Sequence, residues 1–124
     1  MDLKAQMGQF LAPEFSLAQL AERLYQAETD PDRVVMRQWI YGEEETCREL
    51  SRAQVNKRIK VVAARLQQVA DPGTRVAILA GNSPEYVFGF LGALYAGMVP
   101  IPLYDPNEPG HADHLEAVFG DCEP

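Results

Sequence analysis

The sequence has little of what staples a small protein, spans a bilayer or grips a polyanion. Its two cysteines, Cys47 and Cys122, stand far apart and form no CxxC pair. That excludes a disulfide framework and zinc-finger spacing, and leaves two reduced thiols, as in a cytosolic protein. No apolar run approaches the ~20 residues of a membrane span. The longest, residues 86–95, is interrupted by Gly89 and Gly92. The start of the chain lacks the basic residues and apolar stretch of a signal peptide, so the expected location is the cytoplasm. Bases are also scarce. Eleven Lys and Arg face eighteen Asp and Glu, for a net charge of −7, which argues against nucleic acid as a partner because phosphate contacts need clustered cations. Neither GxGxxG nor GxxxxGK[ST] occurs, so the dinucleotide and P-loop fingerprints are missing, as are HExxH and GxSxG.

What is present is globular. With 47% hydrophobic and 23% charged residues among 124, the chain has the makings of one core and not a disordered profile. Charge is unevenly spread. Residues 47–70 carry Arg48, Arg52, Lys57, Arg58, Lys60 and Arg65 against Glu49 alone, between strongly acidic flanks. A basic helix of this kind is ordinarily a solvated face; the competing reading is a docking surface for an acidic partner.

Residues 1–15 have weak periodicity and contain Pro13, which predicts a loosely held arm. Ser16 and Gln19 have capping-box spacing and predict a helix over 17–28 with Leu17, Leu20, Ala21, Leu24 and Tyr25 on one face. Residues 33–40 are β-prone through Val34, Val35, Trp39 and Ile40. A turn at 41–44 and a short return strand at 45–47 complete a hairpin. Thr46 and Glu49 repeat the capping-box spacing and predict a second helix to about Val69. Its stripe is Val55, Ile59, Val62, Leu66 and Val69, with Leu50 off the stripe.

Residues 75–80 form a short apolar run between turn signals, the profile of a strand buried on both faces. Ser83 as N-cap, Pro84 at the first position and Glu85 in the first turn then open a helix over 84–96 that is apolar nearly all round. Gly97 stops it. A second strand at 98–103 carries Pro100 and Pro102, which points to irregular or edge pairing. Strand, helix and strand make a βαβ unit of a parallel sheet. The fold class is therefore α/β, with a β-hairpin, amphipathic helices and one βαβ unit of an incomplete sheet. A last helix over 112–119 leads to residues 121–124, where a further strand is expected, so the chain reads as cut.

Three constellations could carry chemistry, and each has a plainer explanation. The turn Gly81-Asn82-Ser83 precedes a helix N-terminus, where backbone N–H groups can hold an anion, but Ser83 capping its own helix accounts for the same residues. His111 and His114, one turn apart near Asp105, Glu108 and Asp113, could share a metal; no third ligand is fixed, and Asp113 and Glu116 also suit the helix dipole. Cys122 lies between Asp121 and Glu123, acids that disfavour a reactive thiolate. No catalytic, cofactor-binding or metal residue is assigned in 1–124.

The segments do resemble a family. Thr46-Cys47-Arg48-Glu49-Leu50 resembles the T-Y-x-E-L stretch of adenylate-forming enzymes, with Cys47 where an aromatic residue is usual. Residues 72–79, then Asn82-Ser83-Pro84-Glu85-Tyr86, resemble their next strand and helix, and residues 92–103 their second core motif. Residues 104–111, with Leu115 and 121–124, look like the fatty acyl-AMP ligases within that superfamily. The resemblance implies that residues 16–124 are the N-terminal part of the large domain of such a ligase. The whole enzyme would join a long-chain fatty acid to AMP using ATP and Mg2+, then pass the acyl group to an acyl carrier protein in preference to free coenzyme A, for polyketide, lipopeptide or complex-lipid synthesis. The family's phosphate loop, Tyr-Gly-x-x-Glu segment, ribose-binding Asp and catalytic Lys match no position here, so the segment alone is expected to be an inactive scaffold that needs the rest of the ligase. Two alternatives remain: a fragment of an acyl-CoA synthetase or amino-acid adenylation domain, and a non-catalytic module docking an acidic partner through a basic helix at 48–65.

Overall fold

A computed structural model describes residues 16–27, 29–107 and 110–124. The arm expected over 1–15 lies outside them. Ser16 and Gln19 exchange the two capping bonds: Gln19 N donates to Ser16 Oγ at 3.2 Å, and Ser16 N to Gln19 Oε1 at 2.8 Å. They open helix α1, Leu17–Ala27. Its apolar stripe is only partly covered. Leu20, Ala21 and Tyr25 are half-buried, whereas Leu17 and Leu24 remain exposed.

Strands β1 (Val34–Ile40) and β2 (Thr46–Ser51) form an antiparallel hairpin running from Ile40↔Thr46 to Val34↔Ser51, with an irregularity between Val34 and Met36. The second helix starts later than the Thr46/Glu49 spacing predicts. Thr46 and Glu49 belong to β2, where Glu49 Oε1 accepts from Arg37 Nε at 3.3 Å across the ladder. A rival capping box at Ser51 and Gln54 starts helix α2, Arg52–Val69, with Gln54 N donating to Ser51 Oγ and Ser51 N to Gln54 Oε1. Two more first-turn donors are taken by the chain entering β1: Arg52 N by Arg33 O and Ala53 N by Pro31 O, both at 2.9 Å. The first three N–H groups of α2, which an open helix end leaves without partners, are thus bonded before the first helical turn closes.

This start changes the role of Leu50. In a strand its side chain takes the face opposite to Glu49 and reaches the core, where it is buried with Val55, Ile59 and Phe88. The predicted stripe of α2 holds for Val55 and Ile59, which are buried, and for Val62 and Leu66, which are partly so; Ala63 joins them, and Val69 at the end is 80% exposed.

Strand β3 (Arg75–Ile78), helix α3 (Pro84–Tyr95) and strand β4 (Val99–Pro102) form the expected βαβ unit, parallel from Arg75↔Val99 to Ile78↔Pro102. Val99 and Leu103 donate to the carbonyls of Thr74 and Ile78. The alternate positions, Pro100 and Pro102, therefore turn their nitrogens away from β3, and the missing N–H groups cost the ladder nothing. Strand β3 is shorter and less enclosed than its apolar run predicts: only Ile78 is buried, and Leu79 is 44% exposed. Among the described residues the hairpin and the β3–β4 pair are separate two-stranded sheets.

Helix α3 is the centre of the molecule, as its nearly all-round apolar surface predicts. It packs against α2 over most of its length, and against α1, β3 and β4 on other sides. Phe88 enters the cluster of Leu50, Val55 and Ile59, while Ala93 joins Ala63, Ala96 and Met98; Tyr95 touches both groups. Gly97, at φ +76°, ends the helix in the left-handed conformation that glycine adopts at least cost. Helix α4 spans His111–Cys122, so residues 121 and 122, where a strand was expected to begin, are still helical; Leu115 is its buried contact. No helix among the described residues is long and apolar enough to cross a membrane.

Candidate functional site

The parallel pairing of β3 and β4 brings the segments after them to the same end of the sheet, beside the start of α3. In open α/β sheets this end, beyond the carboxyl termini of the strands, is where ligands bind. A cavity of about 420 Å³ lies here, walled by Ser83, Tyr86 and Val87 on the α3 side and by Leu103, Tyr104 and Asp105 on the β4 side. The Gly81-Asn82-Ser83 turn is thus placed at a cavity mouth. Ser83 has the extended backbone of an N-cap, but its side chain makes no capping hydrogen bond; the turn closes through Tyr86 N donating to Ser83 O at 3.1 Å. The serine does not explain itself as a cap in the way its spacing suggests.

Asp105 stands close by: a β-carbon placed on Gly81 would lie 3.8 Å from its Oδ2. Its Oδ1 accepts from Asn107 N at 2.9 Å, which holds the loop after β4 in a turn. The cavity mouth thus brings the positive end of α3 and a carboxylate together. Tyr104 continues outward to His114, their ring centroids 5.4 Å apart and tilted by 47°. That places His114 against an aromatic ring, while the His111 side chain lies outside the described set. No group of three or more His, Cys, Asp or Glu side chains is assembled to hold a metal among the described residues. Cys47 is exposed on β2 opposite Trp39, and Cys122 is half-buried in the last turn of α4.

Two ion pairs brace the elements behind the cavity. Arg48 of β2 donates to Glu85 Oε1 at 2.6 Å, and this bond is the first cause holding the Glu85 carboxyl below its usual range. Glu22 of α1 takes Lys60 Nζ at 3.1 Å on one oxygen and the Tyr95 hydroxyl at 3.3 Å on the other. The Lys60 hydrogen bond is the main reason that the Glu22 carboxyl is also lowered. Burial, then the neighbouring Glu22 charge, raises the Tyr95 phenol. Tyr86, Tyr104 and Asp105 lie in the segments that carry the family resemblance, but only the parallel pairing of β3 with β4 brings them to one cavity.

The family model "AMP-binding enzyme" matches residues 24–124. The chain belongs to the AMP-binding enzyme family. Among curated proteins it is similar to the long-chain-fatty-acid–AMP ligase FadD32 of Mycolicibacterium smegmatis, with 53% identity over 77 residues, 62% of this chain and 12% of that protein. It is also similar to the long-chain-fatty-acid–AMP ligase FadD26 of Mycobacterium tuberculosis H37Rv, 43% identical over 75 residues, 60% of this chain and 13% of that one. The aligned stretches thus span about an eighth of these relatives. Among solved structures, the fatty acid AMP ligase from Legionella pneumophila superposes with a TM-score of 0.70 over 88% of this chain and 18% of that chain, at 24% identity, a likeness of fold. The α/β class, the hairpin and the βαβ unit are those of this AMP-binding fold.

Proposed function

We propose that residues 16–124 are a scaffold segment of the large domain of an ATP-dependent long-chain-fatty-acid–AMP ligase of the cytoplasm. The observation that carries this is the 53% identity with a protein named as such a ligase, over 77 residues of this chain. In the complete enzyme a fatty acid carboxylate oxygen attacks the α-phosphorus of ATP. The bond to the bridging oxygen of the β-phosphate breaks and pyrophosphate leaves, giving acyl-AMP. A thiol then attacks the acyl carbon, loses its proton and releases AMP. Mg2+ would neutralise the phosphate charge in the first step. No residue of this segment is assigned to it or to ATP. The preferred thiol is the phosphopantetheine of an acyl carrier protein.

The test uses the full-length enzyme with ATP, Mg2+ and a long-chain fatty acid. Pyrophosphate release that depends on the fatty acid is expected, followed by acyl transfer to a phosphopantetheinylated carrier protein and little transfer to coenzyme A. Efficient acyl-CoA formation would move the protein to the acyl-CoA synthetases. Pyrophosphate release driven by amino acids would make it an amino-acid adenylating enzyme.

A further inference from the structure

Helix α2 contains five bases and no acid over Arg52–Val69, in a chain where acids outnumber bases eighteen to eleven. The bases divide into two groups. Arg52 and Lys60 are spent within the molecule: each lies over the Tyr25 ring, at 5.8 and 5.7 Å, and Lys60 bonds Glu22. Lys57, Arg58 and Arg65 are exposed, and Lys57 and Arg58 enter no ion pair among the described residues. Successive residues on a helix turn by about 100°, so these three fall within one sector of roughly 100° and span about 12 Å of axis. Val61, 48% exposed, lies between them, and the exposed Ala64 lies just outside the sector on the Lys57 side. Arg48, part of the basic stretch expected at 48–65, belongs to β2 and is engaged by Glu85.

We propose that this outward face of α2 docks the acidic surface of the carrier protein that receives the acyl group, a proposal that rests on the ligase function above. Opposite charges at i and i+4 stabilise exposed helix faces; here one sign stands alone on a net-negative molecule, a local positive potential that attracts acids. An exposed valine flanked by three cations suits a mainly electrostatic protein contact, and the patch's length matches two turns of a partner helix. A membrane fits less well. The bulky apolar residues of α2, Val55, Ile59, Val62 and Leu66, are turned inward, and Val61 with Ala64 is too little apolar surface to anchor a helix in lipid. Three exposed cations on an acidic chain are likewise too few for nucleic acid.

The experiment compares full-length enzyme with its Lys57→Glu/Arg58→Glu/Arg65→Glu variant, and with Val61→Glu as a second, milder change. Pyrophosphate release should stay the same in all three. The KM for the carrier protein should rise about tenfold or more in the variants, and the salt sensitivity of the wild-type KM should be lost. Direct calorimetric titration of the purified carrier should show the same loss of affinity. An unchanged KM and affinity with adenylation intact would overturn the docking surface. So would an equal rise in KM for coenzyme A, or binding to vesicles of anionic lipid that the variants lose without a change in carrier affinity. Failure of the wild type to adenylate fatty acids would instead overturn the ligase function, and the calorimetric titration would still decide the docking surface.

Discussion

Gly92 of α3 sits so close to Val62 of α2 that a β-carbon at position 92 would stand 2.6 Å from Val62 Cγ1 and 2.8 Å from its Cβ. The same atom would lie 3.2 Å from the Ile59 carbonyl oxygen, which is backbone and cannot swing aside. The two helices meet at this point with no room for one methyl group. Glycine costs a helix interior about 1 kcal/mol relative to alanine, so Gly92→Ala would stabilise α3 by that amount if space allowed. Overpacking a filled core costs about 1–3 kcal/mol, and here it presses on backbone. The expected net result is a loss of stability, read as a lower urea midpoint. Adding Val62→Ala should recover part of it by removing the two shortest contacts. A Gly92→Ala protein as stable as the parent would mean that the α2–α3 contact is looser than described.

Glu22 of α1 ties α2 through Lys60 and α3 through Tyr95, and accepts from Gln26 of its own helix, and its pH dependence has a definite sign. Its carboxyl is lowered in the folded protein. The stability it contributes is therefore complete above the ordinary carboxylate range and disappears as pH falls through the lowered value. The contribution is at most about 1 kcal/mol, since the pair is partly solvated. Glu22→Gln should melt below the parent at neutral pH, and the gap should close in acid. Tyr95 behaves oppositely. Its phenol is raised, so its share is intact below the ordinary tyrosine range and falls as pH climbs beyond it; Tyr95→Phe should lose that alkaline dependence.

The 124 residues by themselves should not bind Mg-ATP with micromolar affinity. The start of α3 offers an anion about 1 kcal/mol, against roughly 8 kcal/mol for a micromolar site. Calorimetric titration should give no saturable heat. A micromolar dissociation constant would reveal a nucleotide site among residues given only structural roles here.

The local rules carried most of the fold. Ser16/Gln19 capping, the hairpin turn, Pro84 at a helix start and Gly97 at its end each fix backbone within a few residues, so each was legible in the sequence. Where two local rules competed, long-range pairing decided. Thr46/Glu49 and Ser51/Gln54 satisfy the same spacing, but only the second lets Thr46–Ser51 complete its ladder with β1 and delivers Leu50 to Phe88. Strand β3 shows the converse. Its apolar composition reads as fully covered, yet Leu79 just after it is exposed, because composition does not say which face finds a neighbour. The cavity was hardly legible. Tyr86 and Asp105 are nineteen positions apart and lie in two separate segments of the family resemblance; parallel pairing of β3 with β4 is what makes them neighbours.

The entrance and exit of the βαβ unit are tied to each other. Gly73 N donates to Gly97 O, and Val99 N returns to Thr74 O, both at 2.9 Å. These two bonds make a clasp where the chain enters β3 and leaves α3. Neither end can fray without releasing the other, so the strand, helix and strand are bound to come apart in a single event rather than from their tips. The contacts within this loop are also close in sequence, the kind that close early when a chain folds. The segment around α3 is thereby suited to be the seed on which the hairpin and α1 assemble.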